Sequence, residues 1–304
     1  MPELISIITD WGGFYGSGHA QRMASLCRAL NEAPGVSAVL VNGKTPDFLA
    51  GSAAFTVSPV PAARSDLIIR DMRDSSSEEI FSLRKTAPVL VIDDIGPGRG
   101  AADFVLDLLP NPAAGSGNAD YREDCYLYGH NFIDSLRSLG QEILEKNIDL
   151  AMYAGAGAAD ADIGFFRSLV PEGKNAVIMA GPVRHTVNIP PGLSLDAMNY
   201  AEVLLRSRVF IAHFGLSLYE ARLCGCAVLS VNPTPYHSRL ADMVPGSVVD
   251  INAGTRGELD EAGIRGLCRD LLESRKFSET VPGEILEQAQ RKLYACRDHV
   301  LSLK

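Results

Sequence analysis

The stretch LISIITDWGGFYGSGHAQRMASLCRAL, residues 4–30, joins an apolar run to a glycine-rich turn and then to a helical pattern. The run LISIIT is short and apolar, which is typical of a buried strand. After the glycines, apolar residues recur at i, i+3, i+4 and i+7, namely Met23, Leu26, Cys27 and Leu30. This spacing predicts a helix over 19–31. A buried strand that leads through a turn into a helix is the repeating unit of a parallel α/β sheet.

The same unit recurs along the whole chain. In the first half the patterns predict a helix at 75–86 and strands at 4–9, 37–41, 66–70, 88–93, 103–108 and 125–129. In the second half they predict strands at 149–155, 175–181, 209–215, 227–232 and 247–251. Further helices are predicted within 156–170 and at 196–206, 217–224, 258–274 and 283–303, with a polar loop at 232–239.

The chain has 304 residues, more than one hydrophobic core usually serves. Because the pattern restarts near residue 148, we expect one domain over 1–147 and a second over 148–304, whose last helix could pack back on the first. The predicted fold class is α/β, with two Rossmann-like domains facing a cleft. Open α/β sheets bind ligands at the carboxyl ends of their strands, so the candidate residues are those that follow predicted strands.

Composition limits the partners and the compartment. A net charge of −9 and a pI near 5.2 argue against a nucleic acid or an anionic membrane surface as partner. No apolar run approaches the roughly 18 residues that span a bilayer, and the start of the chain lacks the basic region of a signal peptide. The six cysteines are scattered without zinc-site spacing, as expected of reduced thiols in a cytoplasmic protein. We expect no metal and no other cofactor.

The glycine-rich turn before the first helix admits three interpretations: a phosphate cradle, a catalytic corner or a tight turn. It is not a Walker loop, because no Lys-Ser/Thr pair follows, and Gln21 stands where a dinucleotide fingerprint needs its third glycine. Gly16 and Gly18 would let the backbone approach a ligand. Ser17 is a candidate N-cap for a helix that carries His19 in its first turn. Such a helix start can also bind an anion.

A second candidate site follows the strand predicted at 209–215. Ser217 and Glu220 form S-x-x-E, the signature of a helix capping box, in which the two side chains only cap the helix. Alternatively, the amides from Gly215 through Leu216 to residue 218 bind a phosphate, and Glu220 accepts both hydroxyls of a ribose. The residue pattern leaves both interpretations open.

A third candidate is the pair Asp93 and Asp94, which closes the strand predicted at 88–93. In a continuing strand the two side chains would point to opposite sides, so they are not expected to act as one acid–base pair. One could orient a histidine or a substrate hydroxyl, and the other could cap the next turn. Arg70 and Asp71 hold the corresponding place after the preceding strand, and the same alternatives apply to them.

Four segments occur in an order that resembles the UDP-sugar hydrolases of pseudaminic acid biosynthesis. They are GSGHAQRMASLCRAL (16–30), LVIDDIGPGRGAADFVLDLLPNP (90–112), YLYGHNFIDSLRSL (126–139) and FIAHFGLSLYEARLCGCAVLSV (210–231). That family includes a similar spore-coat polysaccharide protein and belongs to the GT-B superfamily. It also resembles the glycosyltransferase that adds N-acetylglucosamine in peptidoglycan synthesis. The resemblance covers roughly residues 4–245, and it rests on order and spacing.

The resemblance implies roles for the residues that match the family's motifs. The family's G-x-G-H followed by Arg is matched at Gly16 to His19, with Arg22 after them, and it implies that His19 is catalytic. Gly16, Ser17, Gly18 and Arg22 are the candidate substrate-binding residues of this motif. The paired Asp of the family matches Asp93 and Asp94, which are implied as catalytic too.

The family's nucleotide-binding motif G-x-S/T-x-x-E is matched by Gly215, Ser217 and Glu220, with Leu216 between the first two. Glu220 is thereby implied to bind the ribose of uridine. The resemblance thus implies a hydrolase that releases UDP from a UDP-sugar in bacterial surface polysaccharide or nonulosonic acid biosynthesis.

The chain also departs from the family pattern. Where the family has Asn-Gln after the next strand, Tyr236 and His237 stand nearest, and His237 becomes the candidate substrate-binding residue there. Phe132 replaces an expected Tyr. These departures leave two alternatives to hydrolysis open: a GT-B glycosyltransferase that uses a UDP-sugar, and a non-catalytic protein that binds a nucleotide sugar.

Overall fold

The computed structural model describes residues 3–10, 18–42, 56–58, 60–111, 122, 124–155, 158–181, 183–189, 198–244, 246, 248–258 and 260–303. The chain divides into two compact units. Unit 1 comprises Met1–Ile133 and Gln288–Lys304, and unit 2 comprises Asp134–Glu287. Each unit contains a six-stranded sheet of mainly parallel strands flanked by helices, which confirms the predicted α/β class.

The sheet of unit 1 is entirely parallel among its described strands. Its strands are β1 (Glu3–Thr9), β2 (Val36–Val41), β3 (Val57–Ser58), β4 (Leu67–Asp71), β5 (Val89–Ile92) and β6 (Phe104–Leu106). The helices that follow along the chain are α1 (Gly18–Asn31), α2 (Ser77–Leu83) and α3 (His130–Leu139). The order β3-β2-β1-β4-β5-β6 is doubly wound, so the chain reverses its direction of travel between β1 and β4.

The sheet of unit 2 repeats this topology. Its strands are β7 (Ile148–Tyr153), β8 (Ala176–Ala180), β9 (Val183–Val187), β10 (Ser207–Ala212), β11 (Ala227–Asn232) and β12 (Ile251–Thr255), in the order β12-β11-β10-β7-β8-β9. Its helices are α4 (Asp160–Ser168), α5 (Tyr200–Arg206), α6 (Leu216–Leu223), α7 (Pro235–Met243) and α8 (Glu261–Ser274). The reversal lies between β7 and β10. The edge strand β9 runs antiparallel to β8 and was not predicted.

The last helix, α9 (Pro282–Ser302), contributes to the main core of unit 1. Leu293, Cys296 and Val300 lie at i, i+3 and i+7 on this helix, and all three are buried against β-strand and α1 side chains such as Ile7 and Leu26. One apolar stripe of a helix is thus covered by the sheet, as amphipathic spacing requires.

Three of the predicted segments differ from the structure. Residues 125–129 pair with no described strand, although Tyr126, Leu127 and Tyr128 are buried. Burial without pairing produces the same apolar pattern as a strand, and the Tyr128 carbonyl accepts a hydrogen bond from the Ser25 hydroxyl at 2.8 Å. The strand predicted at 247–251 is instead Ile251–Thr255, a half-buried run whose glycine and asparagine hide it from an apolar pattern.

The polar loop predicted at 232–239 is the third difference, because α7 begins there at Pro235. Thr234 is its N-cap, and the Thr234 side chain accepts a hydrogen bond from the His237 amide. A Thr N-cap followed by Pro in the first helical position is a recognised helix start, so the signal was present in the sequence. No helix in the described part of the chain is long and apolar enough to cross a membrane.

The burial of α9 gives a test of the core of unit 1. We expect Leu293→Ala to lower the free energy of unfolding by about 2–5 kcal/mol, because it deletes buried methyl groups and leaves a cavity. Urea denaturation followed by circular dichroism measures this change. Arg291→Ala, an exposed site on the same helix, should change it by less than about 0.5 kcal/mol. Equal effects of the two substitutions would contradict the packing of α9 in this core.

Candidate functional site

Polar side chains gather at the carboxyl edge of the unit 1 sheet, where the strand order reverses. Asp71 is the last residue of β4, and its neighbour across the sheet is Thr9, the last residue of β1. The chain leaving β1 continues to α1, which carries His19 and Arg22 near its start. Open α/β sheets bind ligands at this kind of reversal, so the topology alone makes this edge a candidate site.

His19 is held by a buried carboxylate. Its Nδ1 lies 3.0 Å from Oδ1 of Asp71. Burial by itself would raise the pKa of Asp71, but the charges of Arg22 and then His19 outweigh burial and hold that pKa well below its usual value. An ionised carboxylate can only accept hydrogen bonds, so Nδ1 donates to it. In the neutral ring the lone pair is therefore on Nε2, which is the nitrogen able to take a proton.

Arg22 joins two carboxylates from neighbouring strands. Its Nε and Nη2 donate to Asp71 at 2.8 and 2.5 Å, and its Nη1 forms an ion pair with Oδ2 of Asp93 at 2.7 Å. Burial would lower the pKa of Arg22, but the two carboxylates raise it above its ordinary value, so the guanidinium stays charged. Arg22 is buried and its guanidinium is bound by protein groups, so its geometry is that of a positioning residue.

Asp93 adopts a strained backbone conformation directly after β5. Its φ of 50° lies in the left-handed region, which costs a non-glycine residue about 1–3 kcal/mol and persists where neighbouring contacts enforce it. The enforcing contacts are the amides of Leu108 and Leu109, which donate to Oδ1 at 2.7 and 2.9 Å. Burial raises the pKa of Asp93, although the charge of Arg22 opposes that shift.

Asp94 points into a different network. Its Oδ2 lies 3.4 Å from a guanidinium nitrogen of Arg70, and its Oδ1 accepts hydrogen bonds from the amides of Ser75 and Gly96. Arg70 is itself bidentate to Glu79. Asp94 therefore caps the turns after β4 and β5, which is one of the two roles expected for this pair.

The carboxylate that orients His19 is Asp71, whereas the sequence analysis placed this role on Asp93 or Asp94. The reason is topological, because β4 lies directly beside β1 while β5 is one strand further away. The predicted catalytic roles of Asp93 and Asp94 remain predictions. Of the predicted substrate-binding residues before the helix, Gly18 is the first residue of α1, and Gly16 and Ser17 lie outside the described residues.

The corresponding edge of unit 2 carries the start of α6. Gly215 is the N-cap, followed by Leu216 and Ser217. The first amides of a helix have no acceptor within it, and among the described residues no acceptor contacts the amides of these three residues. Ser217 is 9% exposed as a residue, and its hydroxyl also has no partner within the described part of the chain. The hydroxyl is therefore available to a ligand at this helix start.

The capping-box interpretation of S-x-x-E is wrong. Ser217 is the second residue of α6 and not its N-cap, and the N-cap Gly215 has no side chain to cap with. Ser217 and Glu220 are three residues apart on the helix and therefore lie on one face. Helix capping therefore explains the role of neither the Ser217 nor the Glu220 side chain.

A buried asparagine network positions the start of α6. Asn232, fully buried at the end of β11, accepts a hydrogen bond from the Phe214 amide at 2.8 Å. Its Nδ2 donates to Ser230 and Asn252 at 2.9 and 3.0 Å. Because Phe214 directly precedes the N-cap, this network sets the direction in which the free amides of α6 point.

Two histidines lie at the same edge. His213 follows β10, and its ring centroid is 6.3 Å from that of His237, in the first turn of α7. Thr234 Oγ1 is 2.7 Å from Nδ1 of His237. Burial lowers the pKa of His213, so its ring is neutral at pH 7. The sequence analysis predicted His237 as a substrate-binding residue and gave no role to His213.

Glu220 is buried beside two tyrosines. The Tyr200 phenol hydrogen-bonds to the Glu220 carboxylate, and burial followed by the charge of Glu220 raises the pKa of Tyr200 well above its ordinary value. Tyr200 therefore keeps its proton and is the donor. The ring of Tyr153, at the end of β7, packs edge-on against Tyr200 with centroids 6.4 Å apart. A carboxylate can accept about four hydrogen bonds, so Glu220 has capacity beyond this one.

Sequence reasoning gave no role to His213 or Tyr200, and it named Asp71 only as a strand-end carboxylate without assigning it to His19. Asp71 and His213 each end or follow a predicted strand, which was the available signal. Tyr200 starts α5, and only the packing of that helix brings it to Glu220. Within the described ranges, no group of three His, Cys, Asp or Glu side chains is placed to hold a metal ion.

Neither a protein-family model nor a curated protein matches this sequence. Solved structures do match. MurG of Acinetobacter baumannii is 13% identical with a TM-score of 0.59, and the match covers 99% of both chains. The spinosyn rhamnosyltransferase SpnG complexed with thymidine diphosphate is 12% identical with a TM-score of 0.58, covering 99% of this chain and 100% of the other. S. aureus MnaA with UDP is 11% identical with a TM-score of 0.54, covering 99% and 95%. The chain thus has the fold of GT-B glycosyltransferases.

The low pKa of Asp71 predicts a pH dependence of stability. A carboxyl with a depressed folded pKa contributes stability above its unfolded pKa of about 4, and this contribution is lost as the pH falls toward the folded pKa. We expect Asp71→Asn to lower the free energy of unfolding at pH 7 by about 3–5 kcal/mol, since it breaks a buried ion pair. Its stability should also fall less steeply than that of the wild type between about pH 5 and pH 2.

Urea denaturation at a series of pH values measures both effects. Asp270→Asn removes an exposed carboxylate in the same way and should leave the curve of the wild type unchanged. An Asp71→Asn protein with the acid sensitivity of the wild type would contradict the assignment of Asp71 as the ionised partner of Arg22.

Proposed function

We propose that this protein acts on a nucleoside-diphosphate sugar, with unit 2 binding the nucleotide and His19 of unit 1 activating the attacking hydroxyl. The observation that carries the proposal is the start of α6, where three helix-start amides and the Ser217 hydroxyl have no hydrogen-bond partner in the described structure. The first amides of a helix have no acceptor within it, so a ligand that accepts from them satisfies donors that the helix itself leaves open.

A diphosphate has the chemistry that this helix start requires. Its oxygens accept hydrogen bonds, and its negative charge is stabilised by the partial positive charge at the helix N-terminus. The protein carries a net charge of −9, which by itself would repel an anion. The amides at the start of α6 would attract an anion locally in spite of that charge. The imidazole of His213, neutral at pH 7, and the imidazole of His237 lie at this edge and can contribute further hydrogen bonds.

Glu220 supports the choice of a nucleoside diphosphate over a simple phosphate. It lies one turn beyond Ser217 on α6, and its carboxylate can accept both hydroxyls of a ribose in addition to the Tyr200 phenol. Phosphate donors and a ribose acceptor on one short helix suit a ribonucleotide. This arrangement agrees with the motif roles that the family resemblance implies.

His19 has the features of a general base. Asp71 fixes its tautomer, and Arg22 fixes Asp71 in turn. In the hydrolysis that we propose, Nε2 takes a proton from water while the water oxygen bonds to the anomeric carbon of the sugar. The bond from that carbon to the diphosphate breaks, and the nucleoside diphosphate leaves with the electron pair. A well-placed base typically contributes about 10²–10⁴-fold to such a rate.

Glycosyl transfer is the second candidate, and the likeness to solved glycosyltransferases over almost the whole chain favours it. The same base would then take the proton from an acceptor hydroxyl in place of water. The resemblance to UDP-sugar hydrolases of surface polysaccharide and nonulosonic acid biosynthesis favours hydrolysis. Release of UDP without an added acceptor distinguishes hydrolysis from transfer.

Nucleotide binding tests the unit 2 half of the proposal. We expect Ser217→Ala to weaken UDP binding by about 10-fold, because a hydrogen bond to a charged group is worth about 1.5–3 kcal/mol, and to leave uridine binding unchanged. Glu220→Gln should weaken both ligands, since uridine keeps the ribose. Isothermal titration calorimetry measures the affinities, and Ser274→Ala, an exposed serine on α8, is the matched control. UDP affinity that survives both substitutions would refute the site.

Turnover tests the role of His19. With a UDP-sugar substrate, His19→Ala should retain UDP affinity and lose about 10²–10⁴-fold in kcat. Asp71→Asn should reduce kcat as well and change its pH profile, because the tautomer of His19 is no longer held. Release of UDP from a panel of UDP-sugars, with and without added sugar acceptors, provides the assay. An undiminished kcat in His19→Ala would exclude His19 as the base.

A further inference from the structure

A row of side chains crosses the unit 2 sheet close to the tyrosines that flank Glu220. Tyr153 of β7 is in register with Met179 of β8, and Met179 is in register with Arg184 of β9. Residues in register on neighbouring strands point to the same face of a sheet. Arg184 and Tyr153 therefore share a face, and Tyr200 packs against Tyr153 on that face.

Arg184 differs from the other buried or half-buried arginines described above, because it has no carboxylate partner. In the parts of the chain that the structure describes, no carboxylate forms an ion pair with its guanidinium. Burial lowers the pKa of Arg184, and the Tyr200 phenol is the one group that acts against this shift. A half-buried guanidinium without an ion-pair partner keeps its donors available and accessible to a ligand.

The chemistry of the guanidinium limits which ligand groups Arg184 can bind. Arginine has only donors, held in a planar fork, and it binds groups that offer acceptors side by side. Guanine offers O6 and N7 side by side, and uracil and thymine offer the carbonyl O4, which can accept from the guanidinium. The exocyclic amino groups of cytosine and adenine are donors and would oppose the guanidinium.

We propose that Arg184 is a specificity-determining residue that selects a nucleotide base with carbonyl acceptors over one with an amino group. The inference rests on the proposed function, since it needs a ribose at Glu220. Tyr200 connects the two positions, because it hydrogen-bonds to Glu220 and interacts electrostatically with Arg184. A base extending from that ribose along the tyrosines reaches the guanidinium, and the edge strand β9 presents it.

The test compares UDP with CDP, which differ only at the carbonyl or amino edge of the base. We expect the wild type to bind UDP about 10–150-fold more tightly than CDP, the range of one hydrogen bond from a charged donor. Arg184→Met should bring this ratio close to one and preserve CDP affinity. Arg184→Lys should give an intermediate ratio, since it retains the charge and loses the fork. Calorimetric titration of each variant measures the ratio.

Two controls make the outcome specific. Arg269→Met removes an exposed arginine from α8 and should keep the ratio of the wild type. Uridine and cytidine, which lack phosphates, should show the same discrimination as UDP and CDP. An Arg184→Met protein that loses UDP and CDP affinity equally would show that Arg184 binds phosphate, and this result would overturn the proposal. Failure of the wild type to bind any nucleoside diphosphate would overturn the proposed function as well.

Discussion

The buried ion pair between Arg22 and Asp71 organises the polar edge of unit 1. Three elements meet in it: α1 supplies Arg22, β4 supplies Asp71, and the turn after β5 supplies Asp93 as the second partner. Each charge is uncompensated without the others, and an unpaired charge in a buried position costs several kcal/mol. The position of α1 relative to β4 is therefore fixed by charge as well as by apolar packing. His19 lies one turn before Arg22, and its contact with Asp71 fixes its orientation.

In unit 2, neutral side chains hold the backbone just before α6. Asn232, Ser230 and Asn252 join the ends of β11 and β12 and hold the Phe214 amide. The Asp242 carboxylate accepts from Asn252 at the outer end of this network, whereas the side chain that accepts from the Phe214 amide is the neutral amide of Asn232. A buried carboxylate at Asn232 would compete with an anionic ligand for the first amides of α6. The two units thus share a topology, but an ion pair positions the helix start in unit 1 and a neutral asparagine side chain positions it in unit 2.

The elements of regular secondary structure were largely predictable, and their side-chain partners were not. The helix predicted at 19–31 is Gly18–Asn31, and the strand predicted at 88–93 is Val89–Ile92, because apolar spacing reports burial directly. The same signal failed at 125–129, where burial occurs without strand pairing. It also failed at α7, because the start of that helix is indicated by Thr234 and Pro235 and not by apolar spacing.

The sequence by itself determined the α/β class and the position of most strands, which follow from local spacing that each segment carries in its own residues. Its motifs also named His19, Ser217 and Glu220 as candidates, and their roles stay predictions that the family resemblance implies. Only the tertiary structure decided that Asp71, and not Asp93 or Asp94, faces His19, and that Tyr200 meets Glu220. Such pairings depend on which strands are neighbours in the sheet and on how helices pack against it. Strand order is a property of the whole chain, and no local pattern encodes it.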